Sequence, residues 1–231
     1  MLKAMQLLES KRIFIVTGAF GSGKTEFSLN LAKWLTMTHQ DVHLVDLDVI
    51  NTYFRPRHIS DYLKEKYNIN VVASFKGMEK ADIPALNAPL NSLFKHKKYT
   101  VIDVGGDKDG SRILGMYRTQ FPTADTLLIH VFNPNRIYSD TSEKISSLLE
   151  KIEAFCNLKT DLLVANPNLG IDTEIETITE SIPYIKKVAE SLSLPLLLIS
   201  EHKFTGNNNL EEFPIERFMR LPFEKGSIKT I

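Results

Sequence analysis

The fold of this 231-residue chain is decided by the stretch Ile13-Phe14-Ile15-Val16-Thr17-Gly18-Ala19-Phe20-Gly21-Ser22-Gly23-Lys24-Thr25. Its first four residues are apolar and predict a buried strand. An amphipathic pattern follows over residues 25–36, where apolar side chains recur three and four positions apart and predict a helix. The connecting loop has the Walker A spacing, Gly-x-x-x-x-Gly-Lys-Thr, in the context of strand, loop and helix that makes this pattern specific.

Each residue type in this loop has a physical task at a phosphate group. Glycine lets the backbone adopt conformations that other residues resist, so that successive N–H groups can surround phosphate oxygens at a helix N-terminus. Lys24 would place its ammonium on the outer phosphates, and the Thr25 hydroxyl would ligate the magnesium ion that accompanies them. The predicted phosphate-binding residues are Gly18, Ala19, Phe20, Gly21, Ser22, Gly23, Lys24, Thr25 and Glu26.

The rest of the chain repeats the alternation of strand and helix. Apolar runs that predict buried strands lie at residues 13–16, 42–46, 99–104, 126–132, 161–165 and 196–199, with a briefer run at 69–73. Further helices are predicted at residues 59–67, 86–94, 138–155, 174–191 and 210–219. Strands that are apolar on both faces and alternate with helices indicate a parallel sheet covered on both sides. We therefore predict a single domain over residues 1–231 with the P-loop NTPase fold, an α/β protein of three layers, α/β/α, with a mainly parallel sheet.

Composition and charge exclude several classes of function. The 28 basic and 28 acidic side chains cancel, so nucleic acid is not an expected main partner. The single cysteine, Cys156, has no partner in the chain, which is typical of a reducing compartment. No segment has the length and apolarity of a signal peptide or membrane span, and the scattered histidines do not predict a transition-metal site. A cytoplasmic location is expected.

Carboxylates follow two of the predicted strands, where a magnesium nucleotide needs acidic groups. Asp103 ends the strand at 99–104 and would hold the magnesium ion through a water molecule, while the Gly106 N–H would contact the terminal phosphate. Asp46 and Asp48 end the strand at 42–46, and either could position the attacking water or a magnesium-bound water. We prefer Asp48, because it lies farther into the loop. The predicted metal ligands are Thr25, Asp48 and Asp103, and the predicted catalytic residues are Lys24, Asp48 and Asp103.

At these residues the sequence resembles the MinD/ParA-type branch of the P-loop NTPases, which belongs to the SIMIBI class. The resemblance is sharpest at residues 18–25, at Val45-Asp46-Leu47-Asp48 and at Val101-Ile102-Asp103-Val104-Gly105-Gly106. Residues 45–57, together with Asn166-Pro167-Asn168-Leu169-Gly170, further resemble a group of bacterial ATP-binding proteins of uncharacterised function. The resemblance implies a slow ATPase that uses ATP and Mg²⁺ and whose nucleotide state changes loops, at 49–57 and 105–118, that a partner protein reads.

The chain departs from this family at one position. The family has a signature lysine directly after the first glycine of the loop, which crosses to the nucleotide of a second subunit in a nucleotide-dependent dimer. This chain has Ala19 there. A further transition-state cation would have to come from elsewhere, and Arg55 and Arg57 are the nearest candidates in sequence, although arginines on loops are most often solvated.

The resemblance also implies which residue contacts the base of the nucleotide. Relatives contact adenine with an asparagine after a late strand, and Asn166 stands in the matching place. Guanine-specific enzymes carry an aspartate three residues later, where this chain has Leu169. Without that acceptor the donors of guanine would be unpaired, which favours ATP over GTP.

Two alternatives to an ATPase stay open at the level of sequence. The first is a small-molecule kinase or ATP-dependent ligase, in which residues 75–87 would close over an acceptor. The second is a nucleotide-dependent binding module without turnover. Analysis of the reaction products distinguishes the first, and single-turnover measurements distinguish the second.

Overall fold

Strands and helices alternate along the chain as the apolar pattern predicts. The computed structural model describes residues 3–47, 59–73, 92–106, 108–201 and 209–219, and all elements below lie within them. The strands are β1 (Ile13–Thr17), β2 (Val42–Asp46), β3 (Ile69–Ala73), β4 (Tyr99–Asp103), β5 (Thr126–Phe132), β6 (Leu162–Ala165), β7 (Leu196–Ser200) and β8 (Glu211–Pro214). The helices are α1 (Ala4–Ser10), α2 (Lys24–Thr36), α3 (Ser60–Tyr67), α4 (Lys108–Tyr117), α5 (Ser142–Cys156) and α6 (Ile175–Leu192).

The described strands form one eight-stranded sheet in the order β3-β2-β4-β1-β5-β6-β7-β8. Each neighbouring pair in this order is parallel. The carboxyl ends of all these strands therefore meet at one edge of the sheet, which is where ligands bind in open α/β proteins. The predicted α/β architecture with a mainly parallel sheet is confirmed.

The core lies on both faces of the sheet. In β1, Phe14 and Val16 pack into a cluster with α1, α2 and α3. The alternate residues Ile13 and Ile15 pack on the opposite face with α4 and α5. Because successive side chains of a strand point to opposite faces, a strand between two helical layers must be apolar throughout. This is the physical reason why continuous apolar runs, rather than alternating ones, marked the strands.

The predicted helix at residues 210–219 is wrong, because the segment forms β8 instead. Phe213 is buried while Glu212 and Pro214 are exposed, so apolar residues alternate with period two. Pro214 has no N–H to contribute to a helix, and proline is tolerated on an edge strand such as β8. The apolar residues of this segment fit both periods, and the proline and the edge position favour the strand.

The segment at residues 105–118, predicted as a loop, is also largely helical. Helix α4 occupies Lys108–Tyr117, and its buried Leu114 and Tyr117 pack against the sheet. Gly110 and Gly115 weaken the helical signal in the sequence, since glycine is a poor helix former. Packing of the apolar face compensates for this low propensity. In the part of the chain that the structure describes, no helix is both long and apolar enough to cross a membrane.

A buried histidine lies near the carboxyl end of β5. His130 is 1% exposed, and its Nδ1 lies 3.4 Å from the Thr17 hydroxyl, which donates to the carbonyl of Ile129. Burial disfavours the charged imidazolium and lowers the pKa of His130 to about 4. The folded protein thus holds this side chain neutral at pH values where an unfolded chain would protonate it.

We predict that His130 makes the protein less stable in acid. Above pH 6.5 both states hold the neutral ring; as the pH falls below the unfolded pKa, only the unfolded chain gains the proton, and the folded state loses about 2–3 kcal/mol by pH 4.5. The free energy of unfolding should be measured in urea at pH 7 and pH 4.5 for the parent and for His130→Asn. The parent should lose more stability than the variant by this amount. An equal loss in both proteins would contradict the prediction.

Candidate functional site

The glycine loop joins β1 to α2 at the carboxyl edge of the sheet. Gly21 and Gly23 have positive φ angles of 75° and 91°, which side chains with a Cβ rarely adopt. The Ser22 N–H donates to the carbonyl of Ala19 at 3.1 Å, and the Phe27 N–H donates to the carbonyl of Gly23 at 2.9 Å as α2 begins. The loop therefore ends at a helix N-terminus, whose unpaired N–H groups attract anions.

Lys24, Thr25 and Asp103 lie together beneath the loop. All three are buried, at 5%, 6% and 0% exposure. The Thr25 hydroxyl donates to Asp103 Oδ2 at 2.7 Å, and the Ser28 hydroxyl lies 3.4 Å from Asp103 Oδ1. The structure thus brings together three residues that are separated by up to 79 positions in sequence but were predicted to share one site. Hydroxyl and carboxylate oxygens side by side are the donor set that Mg²⁺ prefers, so the residues present fit this ion.

A second carboxylate lies beside Asp103. Asp46 and Asp103 are opposite each other in the parallel pairing of β2 with β4. The Leu47 N–H donates to the Asp103 carbonyl at 2.9 Å, which fixes the exit of the chain from β2. Asp46 is fully buried. The two strand-end carboxylates predicted from sequence therefore do meet at the edge of the sheet.

Gly106 approaches the glycine loop more closely than any side chain would allow. A Cβ placed on Gly106 would lie 1.8 Å from the carbonyl oxygen of Gly18. The Val104 N–H donates to the Val16 carbonyl at 3.0 Å, so the chain leaving β4 stays against the chain leaving β1. A glycine is required here for the backbone segments to touch. The predicted contact of Gly106 with a phosphate stays a prediction.

Asn166 braces the glycine loop from the opposite side. Its Nδ2 donates to the carbonyl of Ser22 at 2.9 Å, and the residue is 6% exposed. A Cβ on Gly23 would lie 2.1 Å from the same nitrogen. The sequence predicted a contact with the base of a nucleotide, and did not predict this contact with the loop, because 144 residues separate the two partners.

A cavity of about 660 Å³ opens above these residues. One wall is the glycine loop with Lys24, Thr25 and Glu26. The opposite walls come from the carboxyl ends of the later strands, and their residues are Asn133, Asn135, Arg136, Ile137, Tyr138, Asn166, Asn168, Gly170, Glu201, Ile215, Arg217 and Met219. Phe20, Ile137 and Tyr138 are exposed around it by 73%, 70% and 56%, so the mouth is apolar while the floor is polar.

Glu26 joins the loop to the C-terminal part of the chain. Its carboxylate accepts hydrogen bonds from the backbone N–H groups of Phe218 and Met219. Burial raises the pKa of Glu26 to about 7, and these two donors act in the opposite direction. The side chain of Glu26 thus holds the segment at residues 215–219 against α2, and the predicted contact of Glu26 with phosphate stays a prediction.

The segment at residues 215–219 has further contacts with the pocket walls. Asn30 exchanges two hydrogen bonds of 2.9 Å with the backbone of Glu216. Arg217 forms an ion pair of 2.9 Å with Glu201 and donates to the carbonyl of Gly170 at 3.2 Å. These contacts link α2 and the ends of β6 and β7. Sequence patterns gave no signal for them, because they are polar contacts between residues far apart in the chain.

Several predicted residues lie outside the described ranges. They are Asp48, Arg55 and Arg57, the loop at 49–57 and the predicted lid at 75–87. Of the predicted helix at residues 86–94, the described part begins at Ser92, where residues 92–95 are helical.

Solved structures of other proteins are similar to this chain in fold, at low sequence identity. FtsY from Mycoplasma mycoides matches with a TM-score of 0.53 and 15% identity over 81% of this chain. The cell division protein FtsY from Thermotoga maritima matches with a TM-score of 0.51 and 17% identity over 80% of it. The chain spans 59% and 60% of the length of these two structures. A nucleotide-binding protein from Archaeoglobus fulgidus in complex with ADP matches with a TM-score of 0.47 and 13% identity, over 92% of this chain and 85% of that one.

No protein-family model and no curated protein sequence matches the chain. The similarity is therefore one of fold, carried by the arrangement of strands and helices at identities under 20%. Together with the parallel sheet and the glycine loop between β1 and α2, the likeness to the FtsY structures shows that this protein has the P-loop NTPase fold.

We predict that Gly106→Ala disrupts the glycine loop. The added methyl group would overlap the Gly18 carbonyl, and relief requires a shift of backbone, so we expect a loss of about 2–3 kcal/mol in the free energy of unfolding. Chemical denaturation measures this loss. Gly115→Ala is the matched control, because its Cβ would meet the Phe155 carbonyl at a milder 3.3 Å. Unchanged stability of Gly106→Ala would mean that the two backbone segments are not in contact.

Proposed function

We propose that this protein binds Mg-ATP in the 660 Å³ cavity and hydrolyses it slowly. The observation that carries the proposal is the 2.7 Å hydrogen bond between the Thr25 hydroxyl and the Asp103 carboxylate, at the floor of the cavity beside Lys24. A buried hydroxyl, carboxylate and ammonium at the end of a glycine loop match what a magnesium-bound triphosphate requires. A purely structural loop would not need a buried lysine and a buried aspartate at this place.

The magnesium ligands in this proposal are Thr25 and Asp103, with Asp48 as the further predicted ligand. When bound, the ion would neutralise charge on the outer phosphates. Ser28 keeps Asp103 oriented, since its hydroxyl lies near Oδ1 while Thr25 occupies Oδ2. Hydrogen bonds of this kind fix a ligating carboxylate before the metal arrives.

Hydrolysis would transfer the terminal phosphoryl group to water. Lys24 would bind the outer phosphate oxygens and stabilise the charge that develops on them. Asp48 would orient the attacking water, and the Gly106 N–H would contact the terminal phosphate. Because Gly106 lies against the Gly18 carbonyl, loss of that phosphate would act directly on the backbone that leads into α4.

The cavity also suggests how the base would be held. The phosphate loop forms one end, and residues from the ends of β6, β7 and β8 form the other. Asn166 keeps its Oδ1 for a donor of the base, since its Nδ2 is bound to Ser22. Leu169 offers no acceptor to guanine. Both features support ATP as the preferred nucleotide over GTP.

A partner protein would read the nucleotide state at the mouth of the cavity. Phe20 lies on the phosphate loop itself, and Ile137 and Tyr138 lie on the turn after β5. These exposed apolar side chains would change position with the loop when nucleotide binds. A nucleotide-dependent dimer would use the same face, although Ala19 removes the lysine on which the dimer of the resembled family depends.

We predict that Lys24→Ala weakens the binding of Mg-ATP by roughly 2–4 kcal/mol, because a charge-assisted contact to phosphate is lost from a loop that otherwise offers neutral N–H groups. Isothermal titration calorimetry measures the affinity. Lys159→Ala is the control, since this lysine is 87% exposed and lies outside the cavity. A folded Lys24→Ala variant with parental affinity would remove the phosphate loop from the proposed function.

We predict that ATP is preferred over GTP by at least about tenfold, the difference expected when one hydrogen-bonded edge of the base is unmatched. Competition binding with both nucleotides measures this ratio. Leu169→Asp should narrow or reverse it, because a carboxylate could accept from the guanine donors. Equal affinities of the parent for both nucleotides would contradict the assignment of Asn166 and Leu169.

A further inference from the structure

Among the residues that the structure describes, three cationic side chains line the cavity: Lys24, Arg136 and Arg217. Arg217 is held at the far end by its ion pair with Glu201. Lys24 belongs to the phosphate loop. Arg136 comes from the turn after β5, its side chain is exposed, and within the described ranges its guanidinium forms no ion pair. It is therefore a cation in the cavity to which the fold gives no structural task.

The guanidinium of Arg136 lies directly against the phosphate loop. A Cβ placed on Gly21 would lie 3.5 Å from its Nε and 4.0 Å from its Cζ. Gly21 has a positive φ of 75°, so the loop backbone turns at this residue. The backbone N–H groups of such a loop are the ones that surround the phosphates. A planar guanidinium at this distance is within reach of the same oxygens.

The backbone that carries Arg136 is fixed on both sides. The Arg136 N–H donates to the Asn133 carbonyl at 3.1 Å, and the Arg136 carbonyl accepts from Ser139 N–H at 2.9 Å. Asn133 in turn accepts from the Asn135 N–H at 2.9 Å and donates to the Asn168 carbonyl at 2.8 Å. A side chain on such a turn needs little reorganisation to hold a charge in place, which is what electrostatic catalysis requires.

We propose that Arg136 is a catalytic residue that contacts the phosphate chain and supplies, from the same chain, the positive charge that Ala19 lacks. This inference rests on the proposed function. Ala19 is buried and uncharged, so Lys24 is the one cationic side chain of the loop at residues 18–25. The guanidinium of Arg136 lies beside Gly21 of this loop and supplies the second positive charge.

The role of Arg136 follows from the chemistry of hydrolysis. The oxygen of water forms a bond to the γ-phosphorus while the bond from that phosphorus to the β,γ-bridging oxygen breaks. The electron pair of the broken bond stays on the leaving ADP, and the proton of the water passes to the released phosphate or to solvent. Negative charge therefore grows on the β,γ-bridging oxygen as the bond breaks. A guanidinium beside Gly21 stabilises this charge more than it stabilises bound ADP.

The test compares Mg-ADP alone with Mg-ADP plus aluminium fluoride, which mimics the phosphoryl group in transfer. Arg136→Ala should weaken binding of the aluminium fluoride complex by at least about a hundredfold and leave Mg-ADP within about tenfold, because the charge appears in the transition state. ATP turnover should fall by a similar factor. Arg136→Lys should recover only part of the loss, since an ammonium lacks the planar fork. Lys159→Ala, which removes an exposed positive charge outside the cavity, is the control.

Four results would overturn the inference, three of them obtained with variants and one with the parent. The variant results are equal losses for Mg-ADP and for the aluminium fluoride complex, parental behaviour of Arg136→Ala, and loss of turnover in a double Arg55→Ala, Arg57→Ala variant while Arg136→Ala stays active. A parent that binds the aluminium fluoride complex no more tightly than Mg-ADP also overturns it. A folded parent that binds neither Mg-ADP nor Mg-ATP refutes the proposed function itself, which separates the two failures.

Discussion

The parallel pairing of β4 with β1 is the constraint on which the candidate site depends. It places the end of β4 against the glycine loop, with Asp103 opposite Val16 and Gly106 against the Gly18 carbonyl. The pairing with β2 on the other side of β4 adds Asp46. Side chains from three separate parts of the chain therefore converge without any loop having to reach across the molecule. The pairing of the strands therefore positions these residues at the edge of the sheet, and the glycine loop completes the site.

Burial of the charged side chains at this site has a free-energy cost. Asp46 and Asp103 are both inaccessible to solvent, and Lys24 and Thr25 nearly so. Charges that leave water must find partners, or the folded state becomes less stable. The hydroxyls of Thr25 and Ser28 supply part of this compensation at Asp103. Buried side chains of both charge signs in one site are what the proposed ligand, a metal-bound phosphate, would require.

The parts of the molecule that sequence predicts well are those with a local signal. Strands such as β1 and β5 form apolar runs in the sequence because helices cover both faces of the sheet. The glycine loop is recognised from the Walker A spacing of its residues. Strand β8 was missed because its apolar residues fit two periods, and α4 because glycines masked a helix that packing stabilises. The contacts of Glu26 with Met219 and of Asn166 with Ser22 leave no local trace, since each partner is an ordinary polar group in its own segment.

The hold of Glu26 on the segment at residues 215–219 has a consequence for biosynthesis. The phosphate loop leaves the ribosome early, but Asn166 and the wall from Ile215 to Met219 follow nearly 150 and 200 residues later. Contacts of such high sequence separation form late and slowly. A nascent chain therefore carries a glycine loop without the opposite wall of the cavity and with Glu26 lacking its backbone donors. The cavity gains the wall formed by Ile215, Arg217 and Met219 only after β8 has joined the sheet, so this wall is complete only late in synthesis.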